Sequence, residues 1–389
     1  MIQKVIMGTK LPAKLWLDDV EPSCMEQIMN LASLPFAFKH IAIMPDAHKG
    51  KGMPIGGVMA TKDVVVPNAV GVDIGCGMCA LKTSLNASDL SRKNLTDVMA
   101  YIRENIPLGF DHQKEAVDES LMPNLPIDNL PFLKNKKNKM LREIGTLGGG
   151  NHFIEIQKDT KTGDVWVMIH SGSRHIGLSV AEYYNKIAEF WCAKWYADTL
   201  PQLAFLPMES QFAKDYMAEM KFCVQLAYAN RSAMMERVKE GLRLLHPSVE
   251  FEPMINIAHN YAAWENHYGM NVIVHRKGAT SARKGEIGII PGSMGTKSYI
   301  VEGLGNEESF MSCSHGAGRK LSRSAAFKTL SLEEECHKMD EKGIIYGMRK
   351  SGLDESPGAY KDIEKVMAFE DDLVKPIVEL APLAVIKDD

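Results

Sequence analysis

The chain has 389 residues, 45% of them hydrophobic and 24% charged. That composition belongs to a folded globular protein, neither fibrous nor disordered, and a chain this long builds a core without disulfide staples. The formal net charge of −4 excludes a surface coated in cations, so any nucleic-acid contact has to be local.

Seven cysteines, Cys24, Cys76, Cys79, Cys192, Cys223, Cys313 and Cys336, lack the density and spacing of a secreted disulfide framework, which points to a reducing, cytoplasmic setting. The first thirty residues are too charged for a signal-peptide core. No run of 18 apolar residues occurs, so no membrane span is expected.

In chain order, the short Ile- and Val-rich runs 40–45, 64–66, 152–156, 165–170, 271–275 and 286–290 read as strands. Helical periodicity is clearest over 178–197 and 211–245, and weaker over 88–106 and 361–380. A helix over 254–268 ending at Gly269 would carry His259. Residues 109–140, with Pro123, Pro126, Pro131 and the run Lys134, Lys136, Lys137 and Lys139, read as a loop insertion. That run is either a solvated face or a phosphate contact. The glycines cluster, and Asp46, His48, Asp73, Cys76, His152, His170 and His315 lie in or beside the clusters. Site candidates from Asp73 to His315 straddle any two-domain cut. The expected architecture is therefore α+β: one large domain spanning 1–389, with a β-sheet core, peripheral helices and Gly-rich loops.

Several of these loops carry chemistry. In GVDIGCG (71–77) the Asp73 carboxylate and the Cys76 thiolate can face one cation, or form a polar turn beside a buried cysteine. In GTLGGGNHFIEI (145–156), glycine N–H groups can cradle phosphate oxygens ahead of Asn151 and His152. Glu155 would point away from His152 in a regular strand. His170 ends a strand and enters the turn HSGSR, where it reaches a site or caps the strand. Segment 274–323 holds eight cationic and four anionic side chains, a local basic field suited to a polyphosphate or an RNA backbone. Within it His315 precedes Gly316, Ala317, Gly318 and Arg319. A neutral imidazole there can attack phosphorus, ligate a metal or serve as a base, and Arg319 can hold phosphate oxygens through two N–H groups.

The strings PDAHKGKG (45–52), GVDIGCGM (71–78), GTLGGGNHFIEI (145–156), HSGSR (170–174), HNY (259–261), PGSMGTKSY (291–299) and SCSHGAGR (312–319) together resemble the RtcB-type RNA ligases, over nearly the whole chain and in the family's order. The resemblance implies two Mn²⁺ ions and GTP. Cys76 would bridge the metals, with His170 and His259 completing one site and Asp73 and His152 the other. His315 would become guanylated, and RNA 3′-phosphate or 2′,3′-cyclic phosphate ends would be joined to 5′-hydroxyl ends, as in tRNA splicing and RNA repair. The guanylate pocket would draw on Asn151, His152, Phe153, Ile154, Glu155, His259, Asn260, Pro291, Gly292, Ser293, Met294, Ser298, His315, Gly316, Ala317, Gly318, Arg319, Tyr360 and Lys387. RNA, GTP and an archease-like activator are the implied partners.

The chain departs from the family's usual residues at Ala47, Lys49, His175 and Ala258, and Lys387 is followed by Asp388 and Asp389 in place of a terminal glycine. None of these positions is a candidate ligand or the candidate nucleophile. A thiolate with imidazoles favours Zn²⁺ over Mn²⁺, so zinc is expected to occupy such a site readily. Two other functions fit the same residues: a binuclear metal phosphoesterase acting on RNA ends, and a non-enzymatic RNA-end-binding protein.

Overall fold

Two twisted sheets meet at the centre of this computed structural model, which describes residues 1–7 and 10–388; Asp389 of the C-terminal tail lies outside them. The first sheet runs in the order Lys4–Ile6, Ala13–Leu15, Ala37–His48, Ile55–Thr61, Met270–Lys277, Asn260–His267. The second runs Ile255–Ala258, Gly77–Asn86, Asp164–Ser171, Phe153–Asp159, Val374–Ile386, Ser298–Gly303, Ile287–Ile290. Pairing within both is antiparallel, apart from Ala13–Leu15 on Ala37–His48 and the short Ile345–Tyr346 on Val374–Ile386. With helices packed outside these sheets, the fold is α+β.

The helix Gln211–Leu245 organises one side. Its N-terminus is capped by the Ser210 side chain, which accepts from the Ala213 N–H. Tyr216, Met220, Cys223, Leu226, Asn230, Met234, Val238 and Leu242 recur every three to four residues and are buried. The first half of that stripe packs with Ile176, Val180 and Tyr184 of the helix Arg174–Lys194. The second half packs with Val98 and Ile102 of the helix Arg92–Asn105 and with Val167 and Ile169 of the second sheet. Strand Asp164–Ser171 is buried at every residue after Asp164, as expected of a strand covered on both faces. Among the described residues no helix is long and apolar enough to cross a membrane.

Two expected helices are corrected. Residues 254–268 form the strands Ile255–Ala258 and Asn260–His267, which belong to different sheets. The deciding pattern is period two: Trp264 and Asn266 face out while Glu265 and His267 are buried. Those two polar residues face inward because Arg276 lies beneath them, with its Nη1 at 2.5 Å from Glu265 Oε1, and His267 Nε2 is 2.9 Å from Glu265 Oε2. Residues 361–380 hold only the short helix Ile363–Phe369, and the chain then becomes the strand Val374–Ile386. Pro376 lacks the N–H that a helix there would need, and Val374, Ile377 and Val378 favour the strand.

The 109–140 insertion is packed against the helices. Phe132 stacks on Tyr183 with ring centroids 4.4 Å apart. The Phe132 and Leu133 N–H groups donate to Glu219 Oε1 at 2.7 and 3.3 Å. Lys137 pairs with Glu119, and Lys136 lies over the Phe132 ring, so half of the basic run is engaged within the insertion itself.

Truncating Met234, fully buried between the long helix and the second sheet, leaves a cavity. Met234→Ala should lower the free energy of unfolding by about 2–5 kcal/mol, read from urea denaturation midpoints. Tyr196→Ala, at a residue 96% exposed, should stay within about 0.5 kcal/mol of the parent.

Candidate active site

His259 stands where the chain leaves one sheet and enters the other, between Ile255–Ala258 and Asn260–His267. Its N–H donates to the Cys76 carbonyl at 2.8 Å. That bond ties the crossover to the turn preceding the strand Gly77–Asn86. In the same sheet His170 is registered against Met78 on one side and Phe153 on the other. Four separate segments thus bring Cys76, His152, His170 and His259 to one end of the second sheet.

The Cys76 sulfur lies 3.4 Å from His152 Nε2 and 3.3 Å from His170 Nε2, and His170 Nε2 is 3.4 Å from His259 Nε2. Asp73 Oδ2 is 3.3 Å from His152 Nε2. Two triads result, Cys76–His170–His259 and Asp73–Cys76–His152, in each of which the ligand atoms lie within 4.8 Å of one another. They share the sulfur. The outward nitrogens are occupied by carbonyls: His152 Nδ1 faces Leu147 O at 3.0 Å and His170 Nδ1 faces Asn151 O at 3.1 Å. A carbonyl can only accept, so the proton sits on Nδ1 and Nε2 keeps its lone pair for a cation. Burial, together with cationic and imidazole neighbours, holds His170 and His259 well below the ordinary histidine range. Burial and the adjacent Asp73 push the Cys76 thiol up. Burial alone would raise Asp73, but His152 and Arg174 bring it below the usual carboxylate range. Neutral imidazoles, a carboxylate and a thiol that ionises on binding form a donor set for a borderline-soft divalent cation.

The scaffold behind these ligands is polar, and at its centre Asn230 and Arg231 are fully buried. Arg231, on the long helix, donates to the carbonyls of Gly75 (3.1 Å), Ser171 (2.8 Å) and Ile257 (3.1 Å) and to Asn256 Oδ1 (2.7 Å). One guanidinium thereby gathers the segments that carry Cys76, His170 and His259. Its neighbour Asn230 accepts from the Gly145 and Thr146 N–H groups and donates to Thr146 O and Gly172 O. Asn260 Nδ2 donates to Asp73 O at 3.0 Å and its Oδ1 accepts from Gly278 N–H. Arg174, at φ 60°, sets its guanidinium against Gly148. A Cβ on Gly148, itself at φ +92°, would fall 2.2 Å from Arg174 Nη1, so a side chain there would be strained by its backbone and would displace the guanidinium.

His315 follows the short strand Ser312–Ser314, paired with Ala279–Ser281. Its Nδ1 lies 2.6 Å from Asp46 Oδ2, which also accepts the His315 N–H at 3.1 Å. Asp46 is fully buried. The carboxylate accepts, so Nδ1 carries the proton and the Nε2 lone pair is free. The His315 ring stands 4.8 Å, centroid to centroid, from that of His259. Lys361 Nζ holds the Asp46 strand by donating to Ala47 O (2.6 Å) and Pro45 O (3.2 Å). Gly318, at φ +73°, approaches the Asp46 carbonyl so closely that a Cβ would lie 2.1 Å from it.

A cavity of about 600 Å³ opens in front of these groups. Asp73, Cys76, Asn151, Phe153, Glu155, His170, His259, Asn260, Pro291 to Met294, His315 to Arg319, Tyr360 and Lys387 line it. His152 sits behind Cys76. Ile154 does not reach the cavity; its side chain faces the opposite way, into the apolar cluster with Ile156 and Val167, as strand alternation requires. Ser298 is likewise set back. Its Oγ accepts from the Gly292 N–H at 3.1 Å and from Gln157 Nε2 at 3.3 Å, so it braces the 291–296 turn. His152 precedes the strand that begins at Phe153, so Glu155 shares a face with Phe153 and turns toward the cavity. Burial pushes its carboxyl up to about 7, opposed by the Gln157 amide.

Arg319, which lines the cavity, donates from its guanidinium to Glu355 Oε1 (2.8 Å), Asp354 O (2.5 Å) and Leu321 O (3.3 Å). Glu355 also pairs with Lys387 and accepts from Tyr360. Other cations of segment 274–323 are paired within the protein too. Arg276 is buried on Glu265 and Lys297 pairs with Glu364 and Glu379. Lys277 Nζ donates to Lys51 O and Asn68 O. Besides Lys277, Arg319 and Lys387, the cations lining the cavity are Lys49, Lys320 and Arg323.

Sequence reasoning gave no role to Asp46, Arg231, Asn230 or Glu355. Asp46 stood in a quoted string, PDAHKGKG. An Asn-Arg pair inside a long helix carries no signal of burial, because helical arginine is usually solvated.

The model of the family described as "tRNA-splicing ligase RtcB" matches residues 27–127 and 127–388. The chain is 41% identical, over the full length of both proteins, to an "RNA-splicing ligase RtcB" of Escherichia coli. It is 34% identical to a "tRNA-splicing ligase RtcB" of Nanoarchaeum equitans, covering 94% of this chain and 92% of that one. It is 31% identical to one of Methanococcus maripaludis, covering 97% and 95%.

The donor set predicts the metal behaviour. Zn²⁺ should bind more tightly than Mn²⁺ in competitive calorimetry. Because the thiol must release its proton, affinity should rise by up to about tenfold per unit between pH 6 and 8. Cys76→Ala should lower binding of both ions while circular dichroism stays unchanged.

Proposed function

Because the chain belongs to the RtcB family of RNA-splicing ligases, we propose that it joins RNA 3′-phosphate ends to 5′-hydroxyl ends with GTP and two Mn²⁺ ions, through a guanylated His315. Asp73, Cys76 and His152 would hold one ion, and Cys76, His170 and His259 the other; the donor types and the shared sulfur fit such a pair. Bound there, the cations supply neutralisation of phosphate charge.

The observation that carries this reading is the Asp46–His315 contact of 2.6 Å. It fixes the proton on Nδ1 and leaves Nε2 nucleophilic beside the ligand cluster. Nε2 attacks the α-phosphorus of GTP, the N–P bond forms, and the bond to pyrophosphate breaks. The ring gains positive charge, and Asp46 stabilises it through the Nδ1–H. An oxygen of the RNA 3′-phosphate next takes the guanylyl group, breaking the N–P bond and restoring His315. The 5′-hydroxyl oxygen of the second end then attacks the activated 3′-phosphorus, and GMP leaves. A 2′,3′-cyclic phosphate end is first opened by hydrolysis. The turns 291–294 and 316–318, with Phe153, Glu155, Tyr360 and Lys387, surround the cavity that would receive the guanylate. Ile154 and Ser298 would support that pocket from behind. Arg319 would orient Glu355. The work would take place in the cytoplasm, with an archease-like activator as a partner to test.

Wild-type protein with α-³²P-GTP and Mn²⁺ should take up label and join a 3′-phosphate RNA to a 5′-hydroxyl RNA. His315→Ala should abolish both. Asp46→Asn should lower the guanylation rate by about 10²-fold or more, by analogy with loss of a carboxylate that orients a catalytic imidazole. Opening of cyclic phosphate ends with no label under any metal would instead mark a phosphoesterase, and tight end-binding without turnover an end-binding protein.

A further inference from the structure

A phenyl ring stands almost bare beside the cavity. Phe110 is 98% exposed. A single exposed hydrophobic side chain needs no explanation by itself; the footing of this one does. Residues Leu108 to Asp111 form a tight turn, closed by the Asp111 N–H donating to the Leu108 carbonyl at 3.0 Å. Phe110 is at its tip. The turn is pinned to the Gly-rich loop 145–150 by two backbone bonds. The Gly109 N–H donates to Gly148 O at 3.0 Å, and the Leu147 N–H donates to Pro107 O at 2.9 Å. Arg174 donates to the Gly109 carbonyl at 3.3 Å. Leu108 packs against the apolar cluster of the second sheet. The backbone under the ring is thus already fixed, so contact with a ligand orders little that is not ordered before.

The same loop leads into the cavity. A Cβ on Gly149 would lie 3.7 Å from the Gly109 Cα, and a Cβ on Gly150 would lie 3.3 Å from Arg323 Nη2. The next residue, Asn151, lines the cavity, as do Arg323 and Lys320. Chain geometry puts Phe110 at most about 17 Å from Asn151, Cα to Cα. The charges along this path are sorted. At the foot of the ring the Asp388 carboxylate lies 2.6 Å from where a Gly109 Cβ would be and 2.7 Å from where a Gly149 Cβ would be. Asp111 is the next residue along the turn. Phosphates are repelled there and attracted to Arg323, which is 67% exposed, and to Lys320. A strand leaving the cavity with its phosphates on the cationic side turns its bases toward the phenyl ring. Every base has a π-face, so one aromatic ring serves any sequence.

We propose that Phe110 is a stacking residue for single-stranded RNA, holding a base within the first few nucleotides of the end that enters the cavity. This rests on the RNA-joining reading above.

The test is fluorescence anisotropy with the full-length protein, Mn²⁺, and labelled 3′-phosphate and 5′-hydroxyl RNAs. An abasic nucleotide is moved stepwise inward from the joining end of each strand. At one position in one strand, wild-type binding should weaken by about 5- to 150-fold, the loss of one stacked base. That strand is the one the ring holds. Phe110→Ala should bind the intact strand as weakly as the wild type binds the abasic one, and should not distinguish the two. Phe110→Trp should bind tightly, with its added fluorescence quenched by the intact strand and not by the abasic one. Tyr196→Ala removes an equally bare ring, at the opposite end of the helix Arg174–Lys194 from Arg174, and should bind like the wild type. A merely structural role for Phe110 would weaken intact and abasic strands alike. That result, or Phe110→Ala binding intact RNA as tightly as the wild type, would overturn the proposal. Wild-type protein that neither binds nor joins RNA would overturn the RNA-joining reading and this inference with it. Wild-type protein that joins RNA, beside a Phe110→Ala variant with unchanged binding, overturns this inference alone.

Discussion

The Cys76 sulfur is the point on which the rest of the site depends. It lies within 3.4 Å of two imidazole nitrogens and belongs to both ligand triads. A thiol, three imidazoles and a carboxylate gathered this closely, most of them buried, are costly unless something satisfies them together. The surrounding structure is arranged so that they can be held. Arg231 fixes the backbone of three ligand-bearing segments, and two carbonyls hold the outward nitrogens of His152 and His170. Without those braces the same side chains would be free to turn to other partners.

His315 is built on a different plan. Its ring is directed by an acid, Asp46, instead of a carbonyl, and the same carboxylate accepts its N–H. The contrast is chemical: a carbonyl leaves an imidazole neutral and able to ligate, whereas a buried carboxylate partner stabilises positive charge developing on it. The two kinds of histidine meet across the 4.8 Å between His259 and His315; under the proposed function one end of the cavity would serve cations and the other a reacting phosphorus. The loops are glycine-rich because the strands that present these rings must pass close to one another, as at Gly318 against Asp46.

The sequence is legible where pattern and chemistry coincide. The long helix 211–245 is bounded by a serine cap and read by its apolar spacing, and the structure reproduces those limits. The strands carrying Phe153 and His170 are likewise apparent from their β-branched runs. His259 is harder. Ile255, Ile257, Ala258 and Ala262 satisfy a helical stripe as well as a strand, and only the partner of Glu265 and His267, Arg276 on a neighbouring strand, decides between them. Positive charge in 274–323 is visible in sequence, but its pairing is not, because Glu355, Glu364, Glu379 and Glu265 all lie outside that segment. Asp46 and Glu370 are separated by more than three hundred residues and accept from the consecutive N–H groups of His315 and Ser314, a placement no local pattern encodes.

The central claim is that His315 bears the nucleotide. Peptide mapping by mass spectrometry, with the protein incubated with GTP and Mn²⁺ and digested at alkaline pH to preserve an N–P bond, tests it most directly. The GMP adduct should reside on the peptide containing His315, with fragment ions placing it on the imidazole. An adduct on a lysine, or RNA joining that proceeds with His315 unmodified under every condition that traps an intermediate, would contradict the account.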